Sequence, residues 1–272
     1  MAPARVLPAW MIPLALAAGA LVTVPLLATA LRLDWARLPE LVTSSSALDA
    51  LALSLRTAGS ATLLCLVLGV PLGFTLATWR SRAKPAVRAL VLAPLVLPPV
   101  VGGLALLYAF GRRGLVGESL HALGIDIAFS TVAVVLAQTF VALPFMVLAV
   151  ESALAARAGH HEALAATLGA SRSTVLWRIT IPALRPALIT GTVLAFARAL
   201  GEFGATLTFA GSLPGVTRTL PLEIYLQREA DADAAVALAA LLVLVAVTVV
   251  ALAYRPLASR TLAHRTLARS AR

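Results

Sequence analysis

The segment from Glu162 to Pro182 reads EALAATLGASRSTVLWRITIP and separates two strongly apolar stretches of the chain. Leucine and threonine side chains before Gly169 recur at helical spacing, which predicts a short amphipathic helix. Gly169 can end that helix in the left-handed conformation. Ser171 or Ser173 can cap a second helix, which Pro182 is expected to end. The segment is therefore predicted to be a helix, a glycine turn and a second helix that precede a membrane span.

The composition excludes a soluble protein. Of the 272 residues, 60% are hydrophobic and only 12% are charged, and the mean hydropathy is +0.95. A soluble domain carries about 25% charged residues. No segment shows the alternating polarity that is typical of membrane β-strands. The predicted fold class is therefore an all-α integral membrane protein embedded in a lipid bilayer.

Six segments are long and apolar enough for a helix to cross the bilayer, which takes about 20 residues. Pro94, Pro98, Pro99 and Pro144 predict broken or bent helices among them, and Pro186 is expected in the first turn of the fifth span. The predicted spans are Ala9–Leu31, Thr57–Thr78, Leu90–Phe110, Thr131–Ala149, Ala187–Phe209 and Ala234–Tyr254.

The distribution of Lys and Arg predicts the orientation, because cytoplasmic segments carry an excess of these residues. Fourteen of the 22 lie before the first span, between spans two and three, between spans four and five, and after the sixth. Both chain ends are therefore predicted to be cytoplasmic. This topology also explains the net charge of +10, so no nucleic-acid partner is expected.

The first apolar stretch has two interpretations. Arg5, the apolar run and Ala28-Thr29-Ala30 resemble a cleavable signal peptide. The run is longer than the roughly 7–15 apolar residues of such signals. This length favours a retained membrane span.

The spacing within Glu162–Pro182 resembles the EAA loop of the permeases of ATP-binding cassette (ABC) importers. Gly169 is followed ten residues later by Ile179 and then by Pro182, as in that family. The chain departs from the pattern at Ala163, which occupies the usual Glu position, while Glu162 lies one residue earlier. The resemblance implies the ABC transmembrane type-1 fold. It also implies that residues 162–182 couple the membrane part to an ATPase subunit.

Outside the loop, the resemblance covers roughly residues 51–254. Three runs, Phe196–Thr206, Leu213–Gly215 and Thr217–Pro221, are similar to molybdate-importer permeases, and sulfate permeases have a related version. The resemblance implies import of an oxyanion, with molybdate favoured and sulfate or tungstate as alternatives. It divides the chain into an N-terminal helix and external loop (1–47), a permease domain (48–254) and a basic cytoplasmic tail (255–272).

The same resemblance implies partners. The sequence has no GxxxxGK[ST] phosphate-binding loop. We therefore expect a transport subunit without catalytic residues or a cofactor of its own, and ATP with Mg in a partner ATPase. An external oxyanion-binding protein would supply the anion, and two copies would form the path as a homodimer in the inner (plasma) membrane. No metal site is predicted, because the adjacent His160 and His161 point to different helix faces.

Arg198 and Glu202 lie four positions apart on the predicted fifth span. They can neutralise each other as an ion pair, or they can line a pathway or gate. Thr206 and Thr208 are further pathway candidates through their hydroxyls, although each hydroxyl can also bond within its own helix. The alternative from another class, an ion-coupled secondary transporter, would need Glu202 and no ATPase.

Overall fold

The computed structural model describes residues 8–157 and 160–270. Within these ranges it describes the side chains of all residues except 160–161 and 254–270. All regular structure in this part of the chain is helical. The α-helices are α1 (Met11–Leu31), α2 (Leu38–Val42), α3 (Ser45–Thr78), α4 (Lys84–Val96), α5 (Pro99–Phe110), α6 (Gly117–Ala122), α7 (Thr131–Ala155), α8 (His160–Thr167), α9 (Arg172–Val175), α10 (Ile181–Leu200), α11 (Gly204–Ala210), α12 (Leu220–Ala230) and α13 (Ala232–Ser270).

Helices α3, α7 and α10 form the centre of the fold, and small residues allow their close approach. A Cβ atom at Gly69 would lie 2.9 Å from Met146 of α7, and one at Gly191 of α10 would lie 3.0 Å from the same side chain. Small residues serve this purpose in membranes, where packing rather than the hydrophobic effect holds helices together. The shared core contains Ala58, Ala61, Cys65, Ala142, Met146, Val150, Ala195, Ala199 and Leu200.

Five of the described helices are long and apolar enough to cross a membrane, and the pair α4–α5 makes six if it is one span. The break predicted within the third span, Leu90–Phe110, is confirmed, because α4 and α5 meet at a bend of 118°. The bend falls at Leu97 and Pro98, which are both extended (ψ 135°). A proline disfavours the helical conformation in the residue before it. Here Pro98 has this effect on Leu97, and Pro99 has it on Pro98. In contrast, the helices run on through Pro94 and Pro144.

Three predicted boundaries are corrected. The second span begins earlier, at Ser45, where the Ser44 side chain caps α3 by accepting from the Ala47 N–H. The fifth span does not reach Phe209, because α10 ends at Leu200 and the shorter α11 begins at Gly204. The region predicted as a tail continues the helix of α13 as far as Ser270.

Helix α1 lies at the edge of the fold and has no buried residue. It packs against α13, and the loop after it is fixed to the start of that helix. The guanidinium of Arg37 contacts the carboxylates of Asp231 and Asp233 at 3.0 Å each. The apolar surface of α1 is therefore exposed in the single chain.

Gly73→Ala should destabilise the fold, because its Cβ would lie 2.8 Å from the Cβ of Val150 and 3.0 Å from the Val147 carbonyl. We expect a loss of about 1–3 kcal/mol in the free energy of unfolding, measured by denaturant titration in micelles. Gly59→Ala on the same helix is the matched control, since nothing lies within 4 Å of its Cβ. It should stabilise the helix by about 0.5–1 kcal/mol. Equal effects of the two changes would contradict this packing.

Candidate functional site

The loop after α7 has the predicted helix–glycine–helix shape. Helix α8 is followed by Gly169 with φ +82°, and the N–H groups of Gly169 and Ala170 bond back to the carbonyls of Ala166 and Ala165. The Ser171 hydroxyl then caps α9 by accepting from the Thr174 N–H at 3.1 Å. The positive φ explains the glycine, because other residues rarely adopt this conformation.

The second helix of the loop does not end at Pro182, as the sequence predicted. Residues Leu176–Thr180 form a π-helical turn that passes directly into α10, with Pro182 at its second position. Proline has no backbone N–H and would normally leave a helical carbonyl without its donor. The wider π-helical turn before Pro182 avoids this loss. Pro186, expected to open the span, lies inside α10. The outer part of the loop and the fifth span are consequently one continuous helix, Arg172–Leu200.

Glu162 fixes this loop to the membrane helices. Its Oε1 atom accepts from Nη2 of Arg157 at 2.7 Å, just beyond α7, and from the Thr180 hydroxyl at 3.4 Å, just before α10. Partial burial tends to raise the pKa of Glu162, but hydrogen bonds to its own backbone, Arg157 and Thr180 and the charge of Arg157 outweigh it and lower the pKa. Ala163, in the usual Glu position, is exposed and makes no such contact.

The outer surface of the loop exposes large apolar side chains. Leu168 is 80% exposed and Trp177 66% exposed, and Leu164 lies one helical turn before Leu168. Arg172 and Arg178 are exposed nearby along the chain, whereas Ile179 is partly buried. An apolar surface bordered by basic residues outside the spans suits a protein partner or lipid headgroups.

A second ion pair, near the end of α7 that leads into the loop, escaped the sequence analysis. Arg88 of α4 donates through Nε to Oε2 of Glu151 on α7 at 3.1 Å, and Glu151 is buried. The two residues are 63 positions apart, so no local spacing connects them. A lone Glu at the end of an apolar run was the available signal. The ion pair attaches the first half of the broken span to α7.

Arg198 and Glu202 form the predicted ion pair, at 2.5 Å between Nη1 and Oε2. Glu202 is not on the helix as predicted, however, but in the break between α10 and α11. Its side chain is only 1% exposed, and its Oε1 also accepts from the Ala205 N–H at 2.7 Å. The carboxylate is thus neutralised and caps α11, an arrangement typical of a structural pair.

The two threonines of α11 differ. The Thr208 hydroxyl donates to the Gly204 carbonyl at 2.8 Å, so it is satisfied within its own helix. Thr206 is fully buried and its hydroxyl has no partner among the described residues. The side-chain amide of Gln138 on α7 is likewise buried and unpartnered in the described part of the chain. Sequence analysis missed Gln138, whose only signal was a single amide inside an apolar span.

Residues 69–262 match the family described as "Binding-protein-dependent transport system inner membrane component". The chain belongs to this family. The permease is 58% identical over 236 residues to the molybdenum transport system permease protein ModB of Mycobacterium tuberculosis, covering 87% of this chain and 89% of that one. It is 44% identical over 178 residues to ModB of Escherichia coli, covering 65% and 78%.

Solved structures show the same fold. A bacterial alginate ABC transporter in complex with an alginate pentasaccharide-bound periplasmic protein has a TM-score of 0.70 at 17% identity, covering 91% of the permease and 94% of that chain. The MetNI methionine ABC transporter has a TM-score of 0.63 at 18% identity, covering 80% and 99%. These similarities confirm the predicted type-1 ABC permease fold, and the family match and the molybdenum permease relatives confirm a multi-pass inner-membrane protein.

Glu162→Gln should loosen the loop at neutral pH, because Arg157 loses the charge of its partner. We expect amide hydrogen exchange in residues 162–170 to become up to about fivefold faster, the effect of a partly exposed ion pair. Exchange in α12 serves as the internal control. The pKa of Glu162 is lowered in the folded state. The difference between the two proteins should therefore persist above the ordinary Glu pKa of about 4.3 and vanish as the pH falls through the lower folded value.

Glu202→Gln should destabilise the permease by about 3–5 kcal/mol, since it leaves the charge of Arg198 unpaired beside a buried site. Denaturant titration in micelles measures this change. Combining it with Arg198→Met should recover part of the loss. The control is Glu229→Gln, because the Arg228–Glu229 pair is 65% and 74% exposed and is worth at most about 1 kcal/mol. Equal losses at the two sites would show that burial of Glu202 is unimportant.

Proposed function

We propose that this permease is the membrane subunit of an ATP-driven importer of molybdate. The observation that carries the proposal is the 58% identity, over 87% of this chain, to a relative named as a molybdenum transport permease. The molybdate-type runs around the break at residues 201–203 support it. Sulfate and tungstate remain the alternatives within the class, because these anions share charge and shape with molybdate.

We propose that energy reaches the permease through residues 162–182. The chain has no phosphate-binding loop, so ATP and Mg belong to a partner ATPase, and only the complex would be a translocase. The exposed ridge of Leu164, Leu168 and Trp177 offers that partner an apolar surface. The continuous helix from Arg172 to Leu200 is roughly 40 Å long at 1.5 Å per residue. A displacement of the loop would therefore move the break at its far end.

The route of the anion is proposed to lie between two copies of the chain. One copy with about six spans encloses little space, and a two-fold homodimer would present two equivalent loops to two ATPases. An external binding protein would release molybdate into the cavity between the copies. Substrate-binding proteins of this kind are implied by the description of the family itself.

The polar groups near the break suit passage rather than storage of an anion. Arg198 is compensated by Glu202, so it offers no net charge that would hold an anion tightly. Thr206 and Gln138 carry neutral donors without a partner among the described residues, and we propose Thr206 as the better pathway candidate than Thr208. An ion-coupled carrier would instead need Glu202 to be free to bind the coupling ion, but its two oxygens already contact Arg198 and the Ala205 N–H.

The proposal is tested by measuring uptake of labelled molybdate in cells that lack this chain and are supplied with either the native sequence or a variant. Gly169→Val should reduce uptake about tenfold, because a β-branched residue in the left-handed conformation costs at least about 1–2 kcal/mol. Gly124→Val is the matched control, since Gly124 has φ +78° and, like Gly169, open space around its Cβ. It lies on the external side and should preserve uptake.

The outcomes separate substrate from mechanism. Loss of uptake in excess sulfate would change the substrate to sulfate and leave the architecture intact. Uptake that survives deletion of the partner ATPase would overturn the ATP-driven mechanism in favour of a secondary carrier. Equal uptake with the two glycine variants would refute the role given to residues 162–182.

A further inference from the structure

A groove runs along the outer side of the permease between α1 and α13. Its upper part is a cavity of about 700 Å³ between the end of α1, α12 and the start of α13. A second cavity of about 260 Å³ continues it toward the membrane centre. Thr29 and Val243 line both cavities, so the two form one groove.

The position of the groove matches one leaflet of the bilayer. Thr29 and Arg32 are at the end of α1, and Ala232 begins α13, which the positive-inside orientation places on the external side. From Ala232 to Val247, the groove follows about 22 Å of helix at 1.5 Å per residue. Half of the hydrocarbon core is about 15 Å thick. The groove therefore extends from headgroup level through most of the outer leaflet.

The chemistry of the groove changes along its length. The deep part is lined by aliphatic side chains such as Leu26, Leu244 and Val247. The mouth contains Arg32, Arg228 and Tyr225. The Arg228 guanidinium lies 5.4 Å from the centre of the Tyr225 ring and pairs with Glu229 at 2.8 Å. Arg32, in contrast, has no ion pair among the described residues, so one cation at the mouth is uncompensated.

The nearby carboxylates make their contacts elsewhere, and none of those described is within ion-pairing distance of Arg32. Asp231 and Asp233 are both bound to Arg37. The Asp34 carboxylate accepts from the backbone N–H groups of Ala36 and Arg37. An apolar channel below one uncompensated guanidinium complements a molecule with an alkyl chain and a single negative charge.

We propose that this groove binds an anionic glycerophospholipid of the outer leaflet, with its phosphate at Arg32 and one acyl chain along α13. A helix of a second copy fits less well. A helix about 10 Å across would fill roughly 1,700 Å³ over the same length, which exceeds the space in the groove. The lipid would fill the space between α1 and α13 along this groove. This proposal is independent of the transported anion.

Native mass spectrometry of the purified permease–ATPase complex, incubated with equal amounts of phosphatidylglycerol and phosphatidylethanolamine, tests the site. We expect retained phosphatidylglycerol in preference to phosphatidylethanolamine. Arg32→Gln should weaken retention about tenfold, the effect of one charge-assisted contact. Ala239→Trp should displace the acyl chain, because Ala239 lines the cavity.

Two matched controls keep the test specific. Arg113→Gln removes an external arginine that does not line the groove, and Val250→Trp adds the same bulk to an exposed position of α13 below it. Both should retain phosphatidylglycerol as the native complex does. Retention that is unchanged by Arg32→Gln and Ala239→Trp would overturn the proposal. So would a complex that retains no lipid and in which Ala239→Cys cross-links to the second copy.

Discussion

A nearly buried carboxylate in the membrane part of the protein sets the arrangement around it. The ionised group at Glu202 is stable there only if it is neutralised and its oxygens accept hydrogen bonds. Arg198 supplies the charge and the Ala205 N–H supplies a bond, and both require the chain to turn between α10 and α11. The turn then brings Gly204 against Pro99 and Ala205 against Gly103, where added Cβ atoms would clash. The second half of the broken span, α5, therefore packs closely against α11.

The other end of α10 is constrained by a smaller ionic contact. Glu162 contacts both the segment after α7 and the segment before α10. Both ends of the loop are therefore attached to each other. The π-helical turn at Leu176–Thr180 lies at this contact, on the loop side of α10. Such turns are frequent at functional sites. The chain thus connects its outer loop to its buried ion pair through a stiff element with one wider turn.

The sequence predicted the features that depend on local chemistry. Gly169 was identified because few residues other than glycine tolerate a positive φ, and the break at Pro98 because prolines exclude the helical conformation before them. The end of α10 at Leu200 was missed because the apolar run continues through Phe209 and hides the turn. The ion pair of Arg198 and Glu202 was predicted correctly but for the wrong reason. The prediction counted both residues on one helix, whereas Glu202 lies beyond the end of α10. Contacts between distant positions, such as Arg88 with Glu151, leave no local pattern.

The functional roles of the site residues stay predictions, but the charges restrict them. A doubly charged anion that met an uncompensated guanidinium in a low-dielectric path would be held strongly and released slowly. The structure compensates Arg198 and leaves neutral groups, Thr206 and Gln138, without partners in the described residues. Neutral donors can replace part of the hydration of an anion and still let it go. Under the proposed function, an external binding protein that binds tightly would therefore discriminate among molybdate, tungstate and sulfate, because the permease gains speed from weak contacts.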